Sequence, residues 1–512
     1  MTKKPIKLVG AIDVGSHDLQ MSIVQVEPNG KLTQLEDLTQ PTNIGRDTFT
    51  QGRIQLPTIH HTCEILKGFS NLLKEYHVTQ YQAVATSGIR EAENREYVLE
   101  QVRLKSNIGV KIINNAQERF LKYKALRNKN GLWDLVRREG SALIMNIASG
   151  GVEISIYEKG SLKLTEYVKI GALRLHETLA SLRNETIDFS QVMEEYIESN
   201  LFIIKSLIKK EEIKHFIGLG SEINTIYELC RQPGEFFIRT ENLSALYARV
   251  YQSVEDQIAD TFHLTTNQSE TLLPSVILLN SFLKQTQLTE VHVPLVTLRQ
   301  GLLYEMIDQS LDLPGYQESL NDIVSSVWYI AKKYGVDKKH ASQVEKLALS
   351  IFDQTLRLHK LEQRERLYLQ IAAILHGIGH HVNSAGHALY SYQLIRGQNI
   401  VGIANHEVNL IANIAYYHDV ETPSYLDPNY QGLTTEEKII VSKLAAILKI
   451  AESLDISHGE KVEEIVVSPV DQRLCFSVVT HQNFVLEEWS FKQNVDFFAE
   501  VIGIQPFIRL KS

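Results

Sequence analysis

A duplicated strand-turn-strand opening constrains this chain more than any other feature. Residues 7–13 (KLVGAID) form an apolar run of strand formers, and residues 19–26 (LQMSIVQV) resume it after a short turn. The pattern returns at residues 142–158 (ALIMNIASGGVEISIYE), with small residues in the turn and Lys159-Gly160 closing the second strand. Laid over each other, the copies align Asp13 with Asn146 and bring Gly15-Ser16 near Ser149-Gly150. A repeat of this kind predicts two related lobes, each opening on a hairpin. Between the copies, Ile59, Cys63, Leu66, Phe69 and Leu73 recur at helical spacing over 57–76, and residues 82–86 read as a short strand. Strand signals fade near residue 310. Residues 318–455 read as mostly helical and 462–479 as a short hairpin. Pro28-Asn29-Gly30 is a turn signal, and Leu313-Pro314-Gly315 is the expected linker.

The turns carry the chemistry. A tight turn of Gly and Ser points several backbone N–H groups in one direction, a concavity that binds anions. The stretches Asp13–His17 and Ala148–Gly151 both qualify. Either alone is also what an ordinary hairpin looks like; their duplication favours a shared ligand. A carboxylate beside such a loop can hold Mg²⁺, which prefers hard oxygen ligands, and Asp13 and Glu153 stand in that position. At ATSGIREAEN (85–94) a strand gives way to a helix start at Thr86 and Ser87, where phosphate is favoured, and Arg90 adds a bidentate fork. A fourth small turn, Gly218-Leu219-Gly220-Ser221, adds little by itself.

Composition removes several classes. The chain has 512 residues, a net charge of −9 and three widely spaced cysteines. The charge argues against nucleic-acid binding in bulk and requires a local positive site or a metal for any polyanionic ligand. Three distant cysteines give neither a disulfide framework nor a CxxC metal site, which fits a reducing cytoplasm. No apolar run approaches the ~20 residues that span a bilayer.

Taken together, AIDVGSHD, ATSGIREAEN, NIASGGVE, KIGALRLHE (169–177) and LRQGLL (298–303) resemble, in order, the signature segments of the exopolyphosphatase and guanosine pentaphosphate phosphohydrolase family. AAILHGIGHHV, HALYSYQLI and IANIAYYH extend the likeness through the C-terminal part. The resemblance implies an α/β fold: actin-like, ribonuclease-H-like lobes at 1–130 and 131–310, then an all-helical HD-like domain with a short hairpin at 311–512. It also implies a cytoplasmic enzyme that releases terminal phosphate from inorganic polyphosphate or guanosine pentaphosphate with Mg²⁺, acting as a homodimer. On that reading Asp13, Asn146 and Glu153 hold the metal. Gly15, Ser16, His17, Thr86, Ser87, Arg90, Ser149, Gly150, Gly151 and Gly220 hold phosphate.

The chain departs from the family pattern where catalysis is expected. In VKIINNAQER (110–119) the family's base glutamate is replaced by Gln117, with Glu118 next to it. An amide accepts no proton, and losing a general base costs about 10² to 10⁴ in rate. Either Glu118 takes over, though it lies about 100° round a helix from Gln117, or the protein is a catalytically impaired relative that binds polyphosphate or a guanosine polyphosphate as a regulator. Among the polar and glycine positions of the family's DIGGGSTE, NIASGGVE keeps only Gly150 and Glu153, and Asp18 and Glu222 bring negative charge to phosphate-facing turns. In the third domain, His340, His376 and Asp455 stand where an HD metal site has ligands, but Gly377 replaces its central Asp. A helical domain with leftover histidines, among them His380, His381, His387 and His418, is the plainer account.

Overall fold

The computed structural model describes residues 7–27, 30–129, 131–138, 140–209, 211–232, 234–253, 255–311, 315–420 and 422–511. The expected turn at Pro28-Asn29 and the linker at Leu313-Pro314 lie outside the described residues. The chain separates into two compact units, one ending at Asp322 and the other starting at Ile323. Among the described residues no helix is long and apolar enough to cross a membrane.

The first unit is built on two sheets. One contains β1 (Lys7–Val14), β2 (Asp18–Val26), β3 (Leu32–Pro41), β4 (Gln80–Ala85) and β5 (Val110–Ile112), in the order β3-β2-β1-β4-β5. The other contains β6 (Ser141–Ile147), β7 (Val152–Glu158), β8 (Ser161–Val168), β9 (Ile213–Leu219), β10 (Phe237–Arg239) and β11 (Glu290–His292), in the order β10-β11-β9-β6-β7-β8. The repeat seen in the sequence is thus a repeat of topology. In each sheet three antiparallel strands are followed, on the other side of the first, by two parallel ones. The registers agree as well: Val14 pairs with Leu19 and Ile147 with Val152, so both hairpin turns have the same length. That register places Ser16 on Ser149, one residue from the alignment read in the sequence, and keeps Asp13 on Asn146.

Apolar side chains on both faces of β1 and β6 explain why these strands are central. Ile12 and Val14 pack on one side with Ile59, Cys63, Leu66 and Phe69 of the helix Leu56–Glu75. Val9 and Ala11 pack on the other with Leu298, Leu302 and Met306. Those last residues belong to the helix Leu298–Leu311, which follows the second sheet in the chain yet returns to the first. It crosses the helix Asn115–Arg127 so closely that a Cβ on Gly301 would stand 2.1 Å from the Leu121 carbonyl oxygen.

The second unit is mainly helical, as the pattern over 318–455 implies, with the hairpin β12 (Glu464–Val470) and β13 (Arg473–Val479) close to its predicted place. It is not a lone hairpin. The C-terminal segment β14 (Gln505–Lys511) pairs parallel to β13 and makes a three-stranded sheet, and the helix Val485–Ile502 between them supplies the crossover that parallel strands need.

Candidate functional site

The site in the first unit is organised by the start of the helix Asn115–Arg127. Asn114 caps it: its Oδ1 accepts from the Gln117 N–H at 2.8 Å, and Gln117 Oε1 accepts from the Asn114 N–H at 3.2 Å. This reciprocal capping box consumes the Gln117 side chain. Glu118, one step further round, is the carboxylate that enters the site. One turn on, the Lys122 ammonium donates to Glu118 Oε1 at 2.9 Å and to Asn146 Oδ1 at 3.2 Å. Asn146 Nδ2 in turn donates to Glu153 Oε2 at 3.0 Å, across the β6–β7 pair. Arg119 lies 4.0 Å from Glu153 Oε1. Glu118 and Lys122 of this helix and Asn146 and Glu153 of the second sheet therefore form one polar cluster, and Asp13 of the first sheet lies within the field of its Glu118 and Lys122 charges.

The electrostatics follow from that arrangement. Asp13 Oδ1 is shut off from solvent without a hydrogen bond. Burial, helped by the Glu118 charge, pushes its carboxyl up to about 7. Burial also raises Glu153, with the Glu118 charge adding to it against Arg119 and Lys122. Glu118 goes the other way: desolvation opposes its charge, but Lys122 and Arg90 overcome it and hold the carboxyl below its ordinary value. Glu118 is therefore ionised at neutral pH.

The turns of the two lobes meet. Ser16 Oγ is 3.1 Å from Ser87 Oγ, and a Cβ on Gly150 would come within 2.6 Å of Ser87 Oγ. Ser149 Oγ is 2.8 Å from His17 Nδ1 and donates to Glu222 Oε1 at 3.3 Å. Gly151 abuts the Tyr167 ring, and Gly15 faces the Asp18 carbonyl. Gly220 has φ +111°, and a Cβ there would lie 2.0 Å from the Ile147 carbonyl oxygen, so only glycine suits this turn. A cavity of about 660 Å³ opens alongside, lined by His17, Asp18, Ser221 and Glu222 among others. Burial lowers the His17 pKa and raises those of Asp18 and Glu222.

Three expectations come out differently in the geometry. Arg90 does not present its fork to the turns: it donates to the Ile113 carbonyl at 2.7 Å and to Asn115 Oδ1, and so braces the start of the helix that carries Glu118. The helix starting at Thr86-Ser87 is a single turn, Ser87–Arg90, too short for a sizeable dipole. Asn146 spends its amide on Lys122 and Glu153, which leaves Asp13 and Glu153 as the carboxylates with unbonded oxygens. Sequence reasoning missed Lys122 and Arg119. The Glu118–Lys122 spacing of four was a readable signal, but nothing in the sequence turns that pair inward. It also missed Arg174, which donates to the Gly150 carbonyl at 2.8 Å and to Glu91 at 2.7 Å and so ties the two lobes together.

In the second unit, His340 and His376 come together while Asp455 takes a supporting place. Its Oδ2 is 2.8 Å from His340 Nδ1.

A pair of sheets with the same topology and hairpin turns meeting at their ends define a two-lobed, actin-like fold with carboxylates beside its turns. Comparison with known families makes this specific. The model of the Ppx/GppA phosphatase family matches residues 22–310, and that of Ppx/GppA phosphatase domain III matches residues 324–494. The chain belongs to the Ppx/GppA phosphatase family. Among solved structures it is similar to the Ppx/GppA family member of Aquifex aeolicus, at 22% identity over 60% of this chain and 99% of that one, with a TM-score of 0.50. It is also similar to an exopolyphosphatase of Cytophaga hutchinsonii, at 19% identity over 59% and 98% with a TM-score of 0.53. An exopolyphosphatase-like protein aligns at 14% identity over 60% and 100%, also with a TM-score of 0.53. At these identities the structural likeness speaks for the fold.

Proposed function

We propose that this protein is a phosphoanhydride hydrolase that releases terminal phosphate from inorganic polyphosphate, or from a guanosine polyphosphate nucleotide, and that Glu118 is its catalytic carboxylate. One observation carries the reading: an ionised Glu118 stands in one polar cluster with Glu153, with Asp13 within the field of its charge, where the turns of the two lobes converge, while Gln117 is spent on a helix cap. Ser16, Ser87, Ser149 and the turn N–H groups would hold phosphate oxygens. Glu118 would orient the attacking water and accept its proton. Its lowered pKa makes it a weak base, so turnover should be slow.

The residues present suit Mg²⁺ in part. Asp13 Oδ1 and Glu153 Oε1 are buried oxygens without hydrogen bonds, the hard donors this ion prefers. Asp13 and Glu153 would hold it directly or through water, and its charge would offset that of the phosphates. Asn146 fits less well, because its oxygen already takes a Lys122 proton.

A second reading, a catalytically impaired regulator that binds the same ligands, is favoured by one contact. Lys122 donates to Glu118 at 2.9 Å and so engages the carboxylate that would otherwise accept the water proton. The two readings separate when the purified protein is incubated with Mg²⁺ and defined polyphosphate, guanosine pentaphosphate or ATP, and both phosphate release and binding are followed. Release from polyphosphate or guanosine pentaphosphate in preference to ATP is the expected result. Tight binding without release supports the regulator. Neither binding nor release of any of them defeats both readings.

A further inference from the structure

The second unit carries a cluster that the phosphate site does not use. His340 is on the helix Lys338–Gln354, His376 ends the helix Gln363–Leu375, and Glu452 is on the helix Thr435–Ser453. Three separate helices thus deliver one donor atom each to one point. His340 Nε2 and His376 Nε2 are 3.3 Å apart, and Glu452 Oε2 is 3.2 Å from each. Both imidazoles are almost fully buried.

The other ring nitrogens fix the chemistry of this triangle. His340 Nδ1 is 2.8 Å from Asp455 Oδ2, and His376 Nδ1 is 2.7 Å from the Ala373 carbonyl oxygen. A carbonyl can only accept, so Nδ1 of His376 carries the proton, and in a neutral ring Nε2 is then a bare lone pair. The Asp455 carboxylate imposes the same tautomer on His340. Glu452 Oε2, 3.2 Å from both ring nitrogens, is sealed from solvent. Three electron-rich atoms turned towards one another need a positive charge among them, and either a proton on His340 Nε2 or a metal ion supplies it. A point equidistant from atoms at these separations is about 1.9 Å from each, so an ion slightly out of their plane meets the ~2.0–2.1 Å of metal–imidazole and metal–carboxylate bonds. Imidazoles tethered through the second nitrogen to a carboxylate or carbonyl are the usual outer support of a metal centre. Next to the triangle, His418 repeats the device: its Nδ1 is bound to the Ala415 carbonyl, and its Nε2 is 3.1 Å from His387 Nε2.

We propose that the C-terminal unit binds a divalent first-row transition-metal ion through His340 Nε2, His376 Nε2 and Glu452 Oε2, with Asp455 and the Ala373 carbonyl orienting the two rings. Two nitrogens and one carboxylate select a borderline ion such as Zn²⁺, Co²⁺ or Fe²⁺ over Mg²⁺. The site stands independently of the phosphate reaction assigned to the first unit, and Glu452 fills a role that the absent HD aspartate at Gly377 cannot.

The full-length protein, stripped with chelator, should be titrated with Co²⁺ while visible ligand-field absorption is followed, and the dialysed product analysed for metal content. At least one equivalent of Co²⁺ should be retained, be displaced by Zn²⁺ and not by millimolar Mg²⁺. His376→Ala and Glu452→Gln should each weaken the affinity about 10-fold or more. The conservative Asp455→Asn should keep the ion but change its affinity and spectrum, a response that simple loss of folding would not give. Wild-type protein that retains no Co²⁺ above background, or retains it equally in Glu452→Gln, would overturn the proposal. The first result would mean that protons alone hold the triangle.

Discussion

Asp13 is the residue whose surroundings leave the clearest mark on pH dependence. Its carboxyl titrates at about 3.8 in the unfolded chain and at about 7 in the fold. Between those values the folded protein keeps a proton that the unfolded chain has lost, so stability falls as the pH rises through this window and levels off above it. The full span is worth at most about 4 kcal/mol. Asp13→Asn should therefore melt near wild type at about pH 4 and clearly above it at about pH 8. Equal melting temperatures at both pH values would show that the carboxyl is not desolvated. At this scale the sequence was only partly legible. Asp13, Glu153 and the small turn residues could be picked out because a loop-and-carboxylate pattern is local. The choice between Gln117 and Glu118 could not be made, because it depends on a cap at Asn114 that turns one side chain onto the backbone and leaves the other to enter the cluster. Lys122 was invisible for the same reason: helical spacing gives the pair, and only packing gives the face.

Elements were read more fully than side chains. The duplicated hairpin, the helix over 57–76 and the helical run after residue 318 were all legible, since each rests on a hydrophobic period that survives without tertiary context. What escaped were long-range returns. The helix Leu298–Leu311 follows the second sheet in sequence but packs on the first, and β14 reaches back to β13 across a whole helix. Neither has a local signature. The first return can be tested at the closest helix crossing. Gly301→Ala would drive a methyl group to 2.1 Å from the Leu121 carbonyl oxygen, and should lower stability in urea by roughly 1–3 kcal/mol. Gly68→Ala, within the helix Leu56–Glu75 and facing open space, should instead stabilise by roughly 0.5–1 kcal/mol. Equal effects of the two substitutions would contradict the close crossing.

For the whole molecule, two compact units with a separate ligand proposed for each predict separate responses. Calorimetry of the full chain should resolve two unfolding transitions. Polyphosphate should raise one and Co²⁺ the other, by amounts that correspond to about 2.7 kcal/mol at a hundred times the dissociation constant. A single transition raised by both ligands would contradict independent units. The family assignment rests on the whole order of motifs and matches both units, but the proposed activity rests on a few side chains in the first. The most direct test of the account is the rate of phosphate release from polyphosphate by wild type, Glu118→Gln and Gln117→Glu, compared side by side. The account predicts slow release by wild type and a loss of about 100-fold or more in Glu118→Gln. Release that is undiminished in Glu118→Gln, or that appears only in Gln117→Glu, would contradict it.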